Sequence, residues 1–198
     1  IIDNNSTDGS KEILNKFKNY SNITIFQKNE NLGFGDSIQK GFELAKSKYI
    51  YIQYSDLEYD HFASIKMMQY AENKNIDVVF ASRLINFNKK QLFSKVIKKP
   101  SYLATIICTS LINIFYNKNL TDIIGTKLYN RDAILSLVPK TKGQGFDFEF
   151  VSIMCKNKLK IAELHIDYIP RANSKEKKIK FYHMINALYE IFKVKFWK

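Results

Sequence analysis

Cysteine is almost missing from this chain: Cys108 and Cys155 are the only two among 198 residues. Two cysteines build no disulfide framework and here lack metal-ligand spacing, so a reducing compartment is the simplest reading. Histidine is equally scarce, with three residues and no His-x-x-x-His pair, which disfavours a zinc hydrolase. Long apolar runs are absent too. The longest, Leu103 to Phe115, is interrupted by Thr105, Thr109, Ser110 and Asn113. It falls short of the roughly 20 residues that span a bilayer and reads as a buried helix. The opening Ile1-Ile2-Asp3-Asn4 carries no leader pattern. With no internal repeat and no low-complexity linker, residues 1–198 read as one domain. Negative charge is in deficit, with 19 Asp+Glu against 31 Lys+Arg and a net charge of +12. That excess is either a solvated basic surface or an attraction to phosphate groups, nucleotides or an acidic membrane face. The crowding of lysines between Lys175 and Lys198 places the anionic partner, if there is one, near that end. No nucleic-acid motif accompanies the charge, so no nucleic-acid partner is expected.

What is present supports a folded α/β domain. Apolar residues make up 45% and aromatics 14%, enough for a real core. Ile1-Ile2 reads as the end of a buried strand, and Asp3 to Gly9 as a polar turn. Ser10 to Asn19 reads as an amphipathic helix with Ile13, Leu14 and Phe17 on one face. Strands are expected over Asn22 to Gln27, Tyr49 to Ile52 and Asp77 to Phe80. Helices are expected from the Asn31–Gly35 loop to about Ala45 and from His61 to Asn73. Such alternation implies βαβ units and a mostly parallel sheet. In the second half, Ser94 to Tyr116 and Phe146 to Lys156 read as helices, Thr121 to Tyr129 as extended chain and Ile161 to Ile169 as a strand. The last helix carries Phe181, Met184, Ile185, Leu188 and Phe192 at the spacing of one buried stripe.

Ligands of open α/β sheets bind beyond the carboxyl ends of the strands. Three polar segments fall there: Asp3 to Gly9, Asp56 to Asp60, and Ala81-Ser82-Arg83. The first reads equally well as a helix-capping turn. In the second, Tyr54, Asp56 and Glu58 are two apart, so extended backbone would point them to one side. Asp56 and Glu58 could then share a divalent cation, since Mg²⁺ commonly takes one or two carboxylates and completes its shell with phosphate and water.

Seven segments, in order, carry a resemblance. Ile-Ile-Asp-Asn-Asn-Ser-Thr-Asp-Gly-Ser resembles the Val-Asp-Asp-Gly-Ser-x-Asp-Gly-Thr segment of family 2 glycosyltransferases. Asn31-Leu32-Gly33-Phe34-Gly35 resembles that family's helix-opening loop, and Tyr54-Ser55-Asp56-Leu57-Glu58-Tyr59-Asp60 its Asp-Ala-Asp metal motif. Ala81-Ser82-Arg83, Thr121-Asp122 with Gly125, Gly145 to Glu149, and Pro170-Arg171 with Lys177-Lys178 follow. The branch it resembles is the dolichyl- or polyprenyl-phosphate mannosyltransferase type. The resemblance implies the type A glycosyltransferase (GT-A) fold, a Rossmann-like nucleotide-binding sheet. It divides the chain into a nucleotide-sugar-binding half, 1–90, and an acceptor-binding half, 91–198. It implies donor contacts from Asp3, Asn5, Asp8, Gly33, Asp56, Lys177 and Lys178, and a Mg²⁺ or Mn²⁺ ion on Asp56 and Glu58. Arg83 and Arg171 would face phosphate groups, and Asp147 and Glu149 are the candidate bases. Partners would be a nucleotide-sugar donor and a lipid-phosphate or glycan acceptor, with peripheral contact at the cytoplasmic face of a membrane. The activity implied is inverting transfer of a sugar from a nucleotide-diphosphate sugar to a polyprenyl or dolichyl phosphate. The alternatives are transfer to a sugar hydroxyl in cell-surface polysaccharide synthesis, with Asp147 or Glu149 as base, and a catalytically impaired basic binding module. Three departures stand out. Tyr54 replaces the motif's first Asp, and Glu176 precedes Lys-Lys-Ile where Gly is usual. The family's first strand, with its Pro-x-Tyr-Asn-Glu segment, is not in this sequence, so an incomplete N-terminus is expected.

Overall fold

The computed structural model describes residues 1–98, 101–170 and 181–197. Six strands and eight helices alternate among these residues: β1 (Ile2–Asp3), α1 (Ser10–Asn15), β2 (Phe26–Gln27), α2 (Phe34–Leu44), β3 (Tyr49–Tyr51), α3 (Ala63–Lys74), β4 (Val78–Ser82), α4 (Lys89–Lys98), α5 (Ser101–Tyr116), β5 (Lys127–Asn130), α6 (Arg131–Ile134), α7 (Phe146–Lys156), β6 (Ile161–His165) and α8 (Phe181–Phe196). They form two sheets. β1 and β2 pair in parallel, and the larger sheet has the order β3-β5-β4-β6. β5 runs antiparallel to both β3 and β4, while β4 and β6 are parallel, so three of its four strands share one direction.

β4 is buried at every position, as its unbroken Val-Val-Phe-Ala run requires of a strand covered on both faces. The main core packs Phe80, Tyr129, Phe146, Phe150, Ile112 and Ile191, drawing on both halves of the sequence. α2 bridges the sheets. Gly41 lies against Ile2 of β1, while Phe42 packs edge-on to Tyr129 of β5 at 5.2 Å.

Three sequence expectations change here. α1 stops at Asn15 and buries no residue, leaving Ile13 57% exposed. Its apolar stripe is real, but no element among the described residues covers it. The helix read from Ser94 begins earlier, at Lys89, as α4, and α5 follows to Tyr116, with residues 99–100 between them outside the described residues. In α8 the buried positions are Ala187, Glu190, Ile191 and Val194, while Ile185 and Phe192 are exposed. Both sets have helical spacing. α8 turns the stripe containing small Ala187 inward and sends Phe192 to the edge of Phe115, 5.2 Å away.

Candidate active site at the carboxyl ends of the strands

The turn after β1 is built from side-chain caps. Asp3 is buried, and its Oδ1 accepts from the Ser6 hydroxyl at 2.5 Å and the Ser6 amide at 3.2 Å. Its Oδ2 is buried and finds no donor among the described residues, an arrangement native proteins keep rare. Asn5, at φ 65°, accepts from the Lys11 ammonium at 2.7 Å. Asp8 turns to the helix instead. It accepts from the Ser10 hydroxyl and amide at 2.6 and 3.2 Å, and those bonds hold its carboxyl below the usual range. The capping reading therefore describes Asp8.

Gly33 opens α2 at φ 107°, which side chains other than glycine rarely adopt. A Cβ on Gly33 would lie 2.6 Å from the Lys142 carbonyl, and one on Gly35 2.5 Å from that of Thr141. The same loop receives the Asp36 amide at 3.0 Å and the Gln39 side chain at 3.2 Å. The glycine loop is thus a clasp on residues 141–143. Glu149, fully buried, holds that loop from beneath by accepting the Lys140 and Thr141 amides at 2.9 and 2.7 Å.

Beyond β3 the chain turns rather than extends. Leu57 sits at φ 58° and Asp56 Oδ1 accepts from the Glu58 amide at 3.2 Å. The alternation that would have aimed Asp56 and Glu58 to one side is lost at Leu57. Glu58 is buried, and Tyr168 donates its hydroxyl to it at 2.7 Å. Tyr54 packs on Phe34 at 5.8 Å. Burial, reinforced by the Asp147 charge, drives its phenol well above the ordinary value. Among the described residues no group of three or more His, Cys, Asp or Glu side chains converges to hold a metal.

Arg83, just past β4, is the most tightly held cation of the site. Its Nε and Nη2 donate to the two oxygens of Asp122 at 2.6 and 2.9 Å, and its amide to Asp122 Oδ2 at 3.1 Å. Its guanidinium also lies over the rings of Tyr102 and Tyr168, at 5.5 and 5.2 Å. Burial alone would raise the Asp122 carboxyl, but the charge and hydrogen bonds of Arg83 overcome it and leave it below the usual range. Behind this pair, Glu163 accepts the Thr121 and Asp122 amides at 2.7 and 2.8 Å. Ser82 and Thr121 join hydroxyls at 2.6 Å. Asp147 forms a buried ion pair with Lys127 at 2.8 Å, and Lys127 also donates to the Gly125 carbonyl at 2.9 Å.

The contacts run across the strand ends. Tyr168 joins Glu58 to Arg83, Asn4 donates to Asn31 at 2.7 Å, and Phe34 reaches Tyr54. Arg171, Lys177 and Lys178 lie outside the described residues. Sequence reasoning gave no role to Asp122, Tyr102, Tyr168, Glu163 or Lys127. Asp122 stood inside a quoted motif, and Lys127 was visible as a lysine in an otherwise apolar stretch.

Residues 1–137 match the family model described as Glycosyl transferase family 2. Dolichyl-phosphate beta-glucosyltransferase ALG5D of Trichomonas vaginalis is 26% identical over 181 residues, covering 86% of this chain and 55% of that protein. The dolichyl-phosphate beta-glucosyltransferase of Saccharomyces cerevisiae is 25% identical over 189 residues, covering 85% and 55%. The chain thus spans about half the length of these relatives. Among solved structures, glucosyl-3-phosphoglycerate synthase from Mycobacterium tuberculosis, in complex with Mn²⁺, uridine-diphosphate-glucose and phosphoglyceric acid, superposes with a TM-score of 0.60 at 13% identity, covering 98% of this chain and 66% of that one. S. aureus TarS 1–349 gives 0.57 at 15% identity, covering 98% and 70%. These likenesses show the GT-A fold.

Proposed function

The chain belongs to glycosyl transferase family 2, and from that premise we propose that it moves a sugar from a nucleotide-diphosphate sugar to a polyprenyl or dolichyl phosphate. The dolichyl-phosphate glucosyltransferases it resembles suggest the acceptor class. The observation that carries the reading is the fixed guanidinium at the tip of β4. Arg83 is held by Asp122 and two tyrosine rings, so it meets developing phosphate charge without reorganising. The acceptor oxygen attacks the anomeric carbon as the sugar–diphosphate bond breaks, and the diphosphate leaves with the electron pair. A phosphate monoester, with its second pKa near about 6, is a nucleophile at neutral pH without a general base. The occupied state of both candidate bases supports that acceptor over a sugar hydroxyl. Asp147 is paired with Lys127, and Glu149 holds backbone amides. Their work here is to place the start of α7 and its preceding loop.

Asp3 supports donor binding, because its buried Oδ2 is an acceptor awaiting a donor such as a ribose hydroxyl or base N–H. Asn5 and Gly33 stand in the same pair of loops. Of the two carboxylates read as metal ligands, Asp56, beyond β3, is the one that would meet a Mg²⁺ or Mn²⁺ carried by the donor diphosphate; Glu58, buried, turned away from Asp56 at Leu57 and accepting from Tyr168, does not fit a shared site. Arg171, Lys177 and Lys178 would face phosphate groups of donor or acceptor. A core shared by both halves supports reading 1–198 as one catalytic domain, donor-binding over 1–90 and acceptor-binding over 91–198. Among the described residues no helix is long and apolar enough to cross a membrane. The acceptor chemistry suggests peripheral contact at the cytoplasmic face.

Incubation with labelled nucleotide sugars and polyprenyl phosphate tests the proposal: a lipid-linked sugar is expected, and its absence with every common donor would remove the reading. The second reading, a nucleotide-binding module without turnover, is favoured by Tyr54, whose protonated phenol stands where a carboxylate would ligate metal. Calorimetric donor binding with no transfer would select it.

A further inference from the structure

Residues 78–121 contain no Asp or Glu, against Arg83 and six lysines. This stretch supplies the consecutive helices α4 and α5. On α4, Phe93 and Ile97 stand one turn apart, 68% and 65% exposed, among exposed Lys89, Lys90 and Lys95. On α5, Leu103, Ile107 and Ile114 are exposed at four- and seven-residue spacing, along one face. The first turn of α5 adjoins the site, because Tyr102 lies over Arg83. Two adjacent helices that leave apolar stripes in water mark an interaction surface. The sign of the charge selects the partner. A second copy would bring the same lysines and oppose like charges, whereas acidic headgroups complement them. Apolar and basic residues on a helix that cannot span are the composition of one lying in the interface plane.

We propose that α4 and α5 form a docking face for an acidic phospholipid bilayer, with Phe93 and Ile97 entering the interface and Lys89, Lys90 and Lys95 meeting headgroup phosphates. The location differs from the C-terminal helix to which the lysine count alone points. The inference rests on the lipid-phosphate reading for its purpose: docking by α4 and α5 would hold Arg83 near the level at which a lipid-borne phosphate is presented.

Co-sedimentation of the chain with phosphatidylcholine vesicles, with and without phosphatidylglycerol, tests it. Binding to the acidic vesicles only, released by salt, is expected, and F93Q/I97Q should weaken it about tenfold or more. Both positions are exposed, and an unchanged thermal midpoint and calorimetric nucleotide affinity establish that the variant is folded. Sedimentation of the double variant equal to that of the parent chain overturns the proposal, as does failure of the parent chain to bind acidic vesicles. A dimer in sedimentation velocity that F93Q/I97Q dissolves, without vesicle binding, overturns it in favour of a copy-to-copy interface. Transfer to a water-soluble short-chain prenyl phosphate separates the two ideas. If docking is right, F93Q/I97Q leaves that reaction unchanged. If no donor gives transfer while the parent chain still binds vesicles, the enzymatic reading falls alone.

Discussion

At the scale of the residue, Arg83 and Asp122 decide most. Arg83→Lys keeps the charge but loses the planar fork that grips both Asp122 oxygens and stacks between tyrosines. Turnover in the transfer assay is expected to fall about a hundredfold, the size of losing one positioned donor to transition-state charge. Asp122→Asn removes one member of a buried pair and should destabilise the fold by about 3 kcal/mol or more in urea titration. The same pair has a pH signature. The folded-state pKa of Asp122 is lowered, so its stabilisation is full above its unfolded value of about 4 and is lost as pH falls through the folded value. The acid limb of stability against pH should therefore flatten in Asp122→Asn. Glu163, raised first by burial, has the opposite sign, because ionising it in the folded state opposes folding as pH rises past its unfolded value.

At the scale of the element, glycines mark where two backbones meet. A Cβ on Gly125 would lie 1.8 Å from the Ala81 carbonyl, where the approach to β5 passes the end of β4. No side-chain rotation relieves a clash with backbone. Gly125→Ala is expected to destabilise by about 3 kcal/mol or to abolish soluble expression, read out by urea titration and yield. The strand–helix order was legible in the sequence because apolar runs and helical spacing are local properties. The buried Val78–Ala81 strand and the Phe146–Lys156 helix are the clearest cases. What was illegible depended on distant partners. Nothing near Ile13 in sequence says that it stays exposed among the described residues. Nothing in α8 ranks the Ala187 stripe above the Phe192 stripe until α5 and α7 are in place. At the site, residue types and order were legible while geometry was not. Asp56 and Glu58 were read on extended chain, but one left-handed residue, Leu57, turns the segment. Asp147 and Glu149 read as open bases because the Lys127 partner and the 140–141 amides are brought in by the fold.

At the scale of the molecule, stability should be uneven, and in a way that locates donor binding. β1 and β2 pair over only two residues each, and α1 buries none. A two-stranded ribbon is marginal by itself, so this corner depends on α2, which also packs on β5 and α7. The sheet strands β4 and β5 and helix α7, by contrast, lie in the dense aromatic core. Amides of residues 2–27 should then exchange with solvent deuterium by local opening, while those of 78–82, 127–130 and 147–155 exchange only with global unfolding. If the Asp3 turn receives the nucleotide, saturating UDP-glucose, or the donor found active, should slow exchange in residues 3–9 and 31–36 together, because Asn4 ties the two loops. Slowing in only one loop would separate them energetically. Unchanged exchange in both, with donor bound by calorimetry, would move the nucleotide away from the Asp3 turn.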